Sequence, residues 1–156
     1  MLSEDDAEFI LGLLNEPSFL EFVGDKGVRT LEDARKYIRT GPMESYARHG
    51  FGLYLATLKD GTAIGICGLL KRESLEDVDV GFAFLPAFWS KGYAIESASA
   101  VLSHGRRDFE LERIVAVTSS GNDRSIRVLE QLGMRFERMV RLDGDDTEIK
   151  LFATSG

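Results

Sequence analysis

The sequence predicts an α+β fold in which a mixed, mostly antiparallel sheet is flanked by helices. Helix-spaced apolar residues near the N-terminus, two Asp-Gly hairpin signals and a strand, helix, strand crossover in the second half predict this class. The 156 residues are close to the roughly 150 of an average domain. We therefore expect residues 1–156 to form a single domain.

The composition of the chain argues against several classes of binding partner. The formal net charge of −7 disfavours a nucleic-acid partner, because phosphate backbones are bound mainly by lysine and arginine. The one cysteine, Cys67, cannot form an internal disulfide, and with only two histidines a Cys/His metal cage is nearly excluded. No run approaches the roughly 20 apolar residues of a membrane span, and no leader pattern begins the chain. We therefore expect a cytoplasmic protein without metal or membrane partner.

Two helices are predicted in the first forty residues. Residues 4–15 carry apolar side chains at helical spacing behind Ser3, and a second helix starts after Thr30 and runs to Gly41-Pro42. Between them lies a glycine-punctuated loop with four large apolar residues, Phe19, Leu20, Phe22 and Val23. These side chains either pack in the core or form a wall on the acceptor side of a site.

Strands and helices then follow in a regular order. Residues 51–58 and 63–70 form a hairpin around Asp60-Gly61, and residues 78–84 form a third strand that ends before Pro86. The remaining predicted elements are a helix at 92–109, a strand at 114–117, a helix at 123–132 that ends at Gly133, and a hairpin of 134–142 with 147–152 around Asp143-Gly144.

The junction between the third strand and the long helix is the most informative segment. Gly92 stands where that helix begins, so the free N–H groups of its first turn and the helix dipole would face any nearby anion. A pyrophosphate suits this description. An ordinary strand-to-helix turn, in which glycine only allows a tight bend, is the alternative.

Two blocks of this sequence resemble the GCN5-related N-acetyltransferases, and among them the Rim-type branch that acetylates protein N-termini and other amines. The first is Trp89-Ser90-Lys91-Gly92-Tyr93-Ala94, which has tryptophan where the general family pattern has glutamine or arginine. The second runs from Asn122 to Met134 and contains Ser125 and Leu-Glu-Gln-Leu-Gly. The resemblance spans nearly the whole chain.

This resemblance implies the family fold, with two central strands that splay apart, and acetyl-CoA as the cosubstrate. The strands would be residues 78–85 and 113–118. The implied contacts are main-chain groups of Phe84 and Leu85 on the pantetheine arm, the loop and helix start at Lys91, Gly92, Tyr93 and Ala94 on the pyrophosphate, and Asn122 with Ser125 beside the arm.

The resemblance also suggests how protons move. Many relatives protonate the leaving sulfur with a tyrosine at the position of Leu129, which has no acidic proton, and Ser125 is the implied substitute. Glu76, Asp77 and Asp79 are candidate bases, and a water chain to solvent is the alternative to all three. Cys67 lies in an apolar run and is interpreted as an inert buried thiol, and His49 as an exposed residue.

We therefore expect an acetyl-CoA-dependent transfer of acetyl to a primary amine by direct attack. The acceptor is a protein N-terminus first and a small amine next. A noncatalytic acyl-CoA-binding module and a nucleotide-binding module without CoA are the rival interpretations. Relatives begin with a strand ahead of the first helix, whereas here Met1-Leu2-Ser3 leads directly into it, so we expect an open sheet edge where a second copy of the chain could associate.

Overall fold

The computed structural model describes residues 1–142 and 147–154. Its helices are α1 (Ala7–Leu14), α2 (Pro17–Phe22), α3 (Leu31–Ile38), α4 (Glu44–His49), α5 (Tyr93–Asp108) and α6 (Asp123–Gln131). Its strands are β1 (Leu53–Thr57), β2 (Ala63–Leu70), β3 (Asp79–Phe84), β4 (Val115–Thr118), β5 (Arg135–Val140) and β6 (Ile149–Ala153). The predicted elements are thus present, with boundaries that differ by a few residues.

One sheet contains all the described strands, in the order β1-β2-β3-β4-β6-β5. Every neighbouring pair is antiparallel except β3 and β4, which run parallel because α5 connects them as a crossover. This mixed, mostly antiparallel sheet confirms the predicted fold class. The turn at Asp143-Gly144 lies outside the described residues, while the two strands that it joins pair as expected.

Helices cover both faces of the sheet. On one face, α1 and α3 bury Ile10, Leu14 and Ile38 against residues of β1 and β2 such as Leu53 and Ile66. On the other face, α5 packs on side chains of β2 and β3, and α6 packs on β4; the contributing helical residues are Ala98, Val101, Leu102 and Leu129. Two apolar layers therefore hold the sheet between them and fix the ends of β3 and β4 relative to the helices.

The predicted loop between the first two long helices is wrong, because residues 17–22 form α2. Pro17 occupies the first helical turn, where its missing N–H costs nothing, and Phe19 is buried between the helix and the core. The sequence also did not predict α4. The chain passes through a wide π-helical turn over Arg39–Met43 that accommodates Pro42, and the helical path continues beyond the expected stop.

The side chain of Tyr46 on α4 lies at the outer edge of β1. Its hydroxyl accepts a hydrogen bond from the Leu2 N–H (3.0 Å) and donates one to the Leu53 carbonyl. A side chain thus satisfies one of the carbonyls that a neighbouring strand would otherwise pair. Within the part of the chain that the structure describes, no helix is long and apolar enough to cross a membrane.

Candidate functional site

The two central strands separate soon after they meet. They share one bridge, Asp79 opposite Val115, where the Val115 N–H donates to the Val78 carbonyl at 3.0 Å. In an antiparallel ladder alternate residues direct their backbone groups to opposite sides, and the Leu85 N–H points to Ile64 of β2 at 2.9 Å. The backbone groups of Phe82 and Phe84 therefore face away from β2, into the gap before β4, where the Phe84 carbonyl accepts a hydrogen bond from the Trp89 indole N–H and the Phe84 N–H has no strand partner among the described residues. This is the predicted splay.

A cavity of about 430 Å³ lies at this gap. The end of β3, the loop that follows it, the first turn of α5, one face of α6 and the α1–α2 region contribute its walls. Six of the predicted site residues line the cavity: Phe84, Gly92, Tyr93, Ala94, Asn122 and Ser125. Two do not. The Lys91 side chain is exposed, with its ammonium 6.0 Å from the Phe88 ring centroid, and Leu85 directs its N–H to Ile64.

The start of α5 presents free backbone donors to the cavity. Gly92 precedes the helix with φ of +84°, a conformation that side chains with a Cβ rarely adopt, and no side chain caps the helix. The N–H groups of the first turn, which include those of Tyr93 and Ala94, have no partner within the helix. A Cβ at Gly92 would meet no heavy atom within 4 Å, so the backbone is open to close approach here. The arrangement suits an anion such as a diphosphate.

The cavity-facing side of α6 is polar and basic. Arg124, Arg127, Val128 and Gln131 follow helical spacing and line the cavity together. The Arg124 guanidinium lies 4.2 Å from the centroid of the Trp89 ring, which joins α6 to the loop before α5. Sequence reasoning missed these arginines, although their spacing of three and four residues was a visible signal.

Asn122 and Ser125 lie where α6 begins. The Asn122 side-chain oxygen accepts a hydrogen bond from the Ser125 N–H at 3.3 Å and caps the helix, so its amide group is held at the cavity wall. The Ser125 hydroxyl makes no hydrogen bond to any described residue and remains available to a ligand. Leu129, where many relatives have tyrosine, is 1% exposed and belongs to the core.

The structure places the three candidate bases outside the cavity. Asp77 pairs with Arg113 at 2.9 Å, and Asp79 is buried at the opposite end of β3 against Arg72 at 3.2 Å. Glu76 is exposed in the loop before β3. The sequence placed these carboxylates near the cleft because β3 leads to it, but the cleft opens at the far end of that strand.

The α1–α2 region forms the remaining wall. Of the four apolar residues of the predicted loop, Phe19, Phe22 and Val23 line the cavity together with Leu13, and Phe19 is buried, whereas Leu20 is exposed and does not line it. Glu16 and Ser18 lie in the same wall, and sequence reasoning singled out neither.

Other reactive side chains lie away from this cavity. Cys67 is buried, and burial raises the pKa of its thiol to about 12, in agreement with the interpretation of an inert residue. His49 is half-buried and not exposed as expected, because its ring stacks on Phe51 with ring centroids 5.4 Å apart. Among the described residues, no cluster of three His, Cys, Asp or Glu side chains is arranged to hold a metal ion.

Comparison with known sequences is consistent with this geometry. A family model for the acetyltransferase (GNAT) domain matches residues 1–135. YnaD, an uncharacterized N-acetyltransferase of Bacillus subtilis, is 31% identical over 113 residues, which cover 72% of this chain and 64% of YnaD.

Solved structures share the fold. An acetyltransferase from Agrobacterium tumefaciens has a TM-score of 0.83 and 19% identity, over 99% of this chain and 88% of that one. RimL, a ribosomal alpha-N-protein acetyltransferase in complex with coenzyme A, has a TM-score of 0.82 and 19% identity, over 97% and 89% of the two chains. Because the family model covers most of the sequence, the chain belongs to the GNAT family and is an acetyltransferase.

Proposed function

We propose that this protein transfers the acetyl group of acetyl-CoA to the nitrogen of a primary amine. The observation that carries the proposal is the gap between β3 and β4, where strand backbone groups lack a neighbouring strand. Unpaired backbone groups away from water are costly, so such a gap calls for a ligand with amide groups of its own. The pantetheine arm of coenzyme A has two amides, and the free N–H groups at the start of α5 suit its diphosphate.

Residues of the cavity wall would bind coenzyme A in three groups. The backbone of Gly92, Tyr93 and Ala94 would hold the diphosphate, with the Lys91 ammonium nearby. The Phe84 N–H would bind the arm along β3, beside Leu85, whose own N–H and carbonyl are paired with Ile64 and Phe88. Asn122 would hold it from α6. These are the residues that line the cavity or border it, and their chemistry fits coenzyme A.

The acetyl donor supplies a thioester whose carbonyl carbon an amine can attack. In this transfer a C–N bond forms and the C–S bond breaks, the amine loses one proton, and the departing sulfur gains one. Ser125 is the candidate donor of that last proton, because its hydroxyl lies in the cavity without another partner. None of Glu76, Asp77 and Asp79 lines the cavity, so we assign removal of the amine proton to water that leads to solvent.

Protein N-termini are the first acceptor class, and small amines are the second. RimL has this fold and is by name an alpha-N-protein acetyltransferase, which favours the first class. The free, buried state of Cys67 suits a reducing compartment, so we place the reaction in the cytoplasm. The outer edge of β1 is where a second copy would associate, and sedimentation of the purified protein tests that association.

A noncatalytic acyl-CoA-binding module is the alternative, and the buried Leu129 in place of an acidic side chain is the observation that favours it. The deciding experiment incubates the protein with acetyl-CoA and a panel of peptides and small amines. Free CoA and acetylated amine should appear together and in equal amounts. Binding of acetyl-CoA without release of thiol above the rate without enzyme would support the module.

A further inference from the structure

We infer that Glu16 binds the ammonium group of the acceptor, and that the cavity selects an amine with one positive charge next to an apolar group. This inference rests on the proposed acetyl transfer and names its substrate class. The juxtaposition that carries it is a single carboxylate among apolar side chains on the α1–α2 wall of the cavity, which two arginines of α6 also line.

Glu16 is the one acidic side chain among the described residues that line the cavity. It is half-buried, forms no ion pair with any described residue, and does not cap the helix that it precedes. A carboxylate in a partly buried cavity without a counter-ion is an attractive site for a cation. The acceptor is the reactant that carries one, because a primary amine is mostly protonated at neutral pH.

The backbone around Glu16 is held in place, so its side chain has a defined origin. The Asn15 side-chain amide donates to the carbonyls of Leu11 and Val28, both at 2.8 Å. The Glu16 carbonyl accepts a hydrogen bond from the Leu20 N–H at 3.0 Å, and the Pro17 ring restricts the preceding Glu16 to an extended conformation with ψ of 136°. A fixed backbone reduces the entropy lost when the carboxylate orders around an ammonium.

The charges of the two walls are opposite. Arg124 and Arg127 line the α6 side, near the groups assigned to coenzyme A, and Glu16 lies on the α1–α2 side. Bound coenzyme A would neutralise these guanidinium groups with its phosphates, which leaves Glu16 as the one carboxylate of the described cavity wall for the acceptor. A second or third ammonium group of the acceptor would lose water without gaining a carboxylate, so polyamines should be poor acceptors.

The neighbours of Glu16 define the rest of the acceptor. Leu13, Phe19 and Phe22 line the same wall, and Val23 at its rim is 51% exposed. Leu13 and Phe19 are already buried, so an acceptor with an apolar group beside the amine would cover Phe22 and Val23 and remove their exposed surface from water. A peptide N-terminus with an apolar first side chain and a free arylalkylamine both have this chemistry.

The test compares Glu16→Gln with Glu21→Gln, since Glu21 lies on α2, is exposed, and does not line the cavity. Both variants change the net charge equally. For phenethylamine and for a peptide that begins with phenylalanine, Glu16→Gln should lower kcat/KM about 10- to 100-fold. The dissociation constant of acetyl-CoA should not change. The dissociation constant of phenethylamine for the CoA-bound protein, measured by calorimetry, should rise by a similar factor.

A second comparison tests the apolar half of the inference. Val23→Ser should reduce kcat/KM for phenethylamine more than for ethanolamine, while the wild-type protein should use spermidine poorly. The two acceptors that carry a phenyl group distinguish a peptide from a small amine as the source of this chemistry. Equal effects of the Glu16 and Glu21 variants, or spermidine as the best acceptor, would overturn the inference and leave acetyl transfer intact. Absence of transfer by the wild-type protein to every amine would instead overturn the proposed function.

Discussion

The Trp89 indole N–H donates a 3.0 Å hydrogen bond to the carbonyl of Phe84. This bond ties the loop before α5 to the end of β3, so the two parts of the proposed coenzyme A site hold a fixed relative position. The guanidinium of Arg124 on α6 stacks against the same Trp89 ring. One side chain thus connects three walls of the cavity.

Trp89→Phe should weaken coenzyme A binding. The variant keeps a ring for Arg124 but loses the N–H, and one hydrogen bond of about 0.5–1.5 kcal/mol corresponds to about a two- to tenfold rise in the dissociation constant. Calorimetric titration with coenzyme A measures this dissociation constant. Trp89 is the one tryptophan of the chain, so quenching of wild-type fluorescence by coenzyme A provides an independent check. An unchanged dissociation constant would mean that the link does not support the site.

Gly92→Ala should reduce both stability and cofactor affinity. At φ of +84° a Cβ strains the backbone by about 1–2 kcal/mol, and any adjustment moves the N–H groups assigned to the diphosphate. Gly12→Ala is the matched control, because Gly12 lies inside α1 with space for a Cβ, and alanine there should add about 0.5–1 kcal/mol. Urea unfolding should show that Gly92→Ala lowers the free energy of unfolding and that Gly12→Ala raises it, and titration with coenzyme A should show weaker binding by Gly92→Ala. Equal effects of the two substitutions would contradict the assignment of these N–H groups to the diphosphate.

The start of α5 could be predicted from sequence, whereas the acceptor wall could not. A glycine after Pro86 and before helix-spaced residues is a local signal, and so is Asp60-Gly61 between two β-rich runs. Glu16 and Arg124 share a cavity although more than a hundred residues separate them, and no local pattern encodes that proximity. Asp79 shows the same limit: its strand leads to the site, but the residue lies at the strand's other end.

Gly68→Ala should destabilise the sheet strongly. A Cβ at Gly68 would lie 2.0 Å from the Gly52 carbonyl oxygen and 2.7 Å from the Leu53 Cα, and neither backbone atom can move without breaking the β1–β2 ladder. We expect a loss of about 3 kcal/mol or more in the free energy of unfolding. Gly81→Ala provides the control, because Gly81 pairs with Gly68 across β2 and β3 but its nearest neighbour is the flexible end of Leu70 at 3.2 Å. Similar losses in both variants would refute the role of close backbone approach.

Cys67 should be unreactive in the native protein even under alkaline conditions. Burial raises the pKa of its thiol to about 12, whereas the thiol of the unfolded chain ionises near its ordinary value of 9.0. Cys67 therefore makes its full contribution to stability below pH 9.0, and this contribution is lost as the pH rises toward about 12. Ellman's reagent should label the protein slowly in buffer and rapidly in urea. Rapid labelling of the folded protein would contradict the buried position.

Arg72→Ala should cost more stability at neutral pH than at mildly acidic pH. Asp79 is 1% exposed, and burial raises the pKa of its carboxyl; the Arg72 guanidinium, with Nε at 3.2 Å, is the main group that opposes this rise, ahead of Lys71. Without arginine the buried, ionised carboxylate loses its ion-pair partner, at a cost of about 2–3 kcal/mol that protonation relieves as the pH falls. Adding Asp79→Asn should recover part of the loss, and Arg106→Ala on the exposed side of α5 should change little. Urea unfolding at neutral and at mildly acidic pH measures the stability of all three variants. A loss of stability in Arg72→Ala that does not depend on pH would show that Arg72 acts by packing alone.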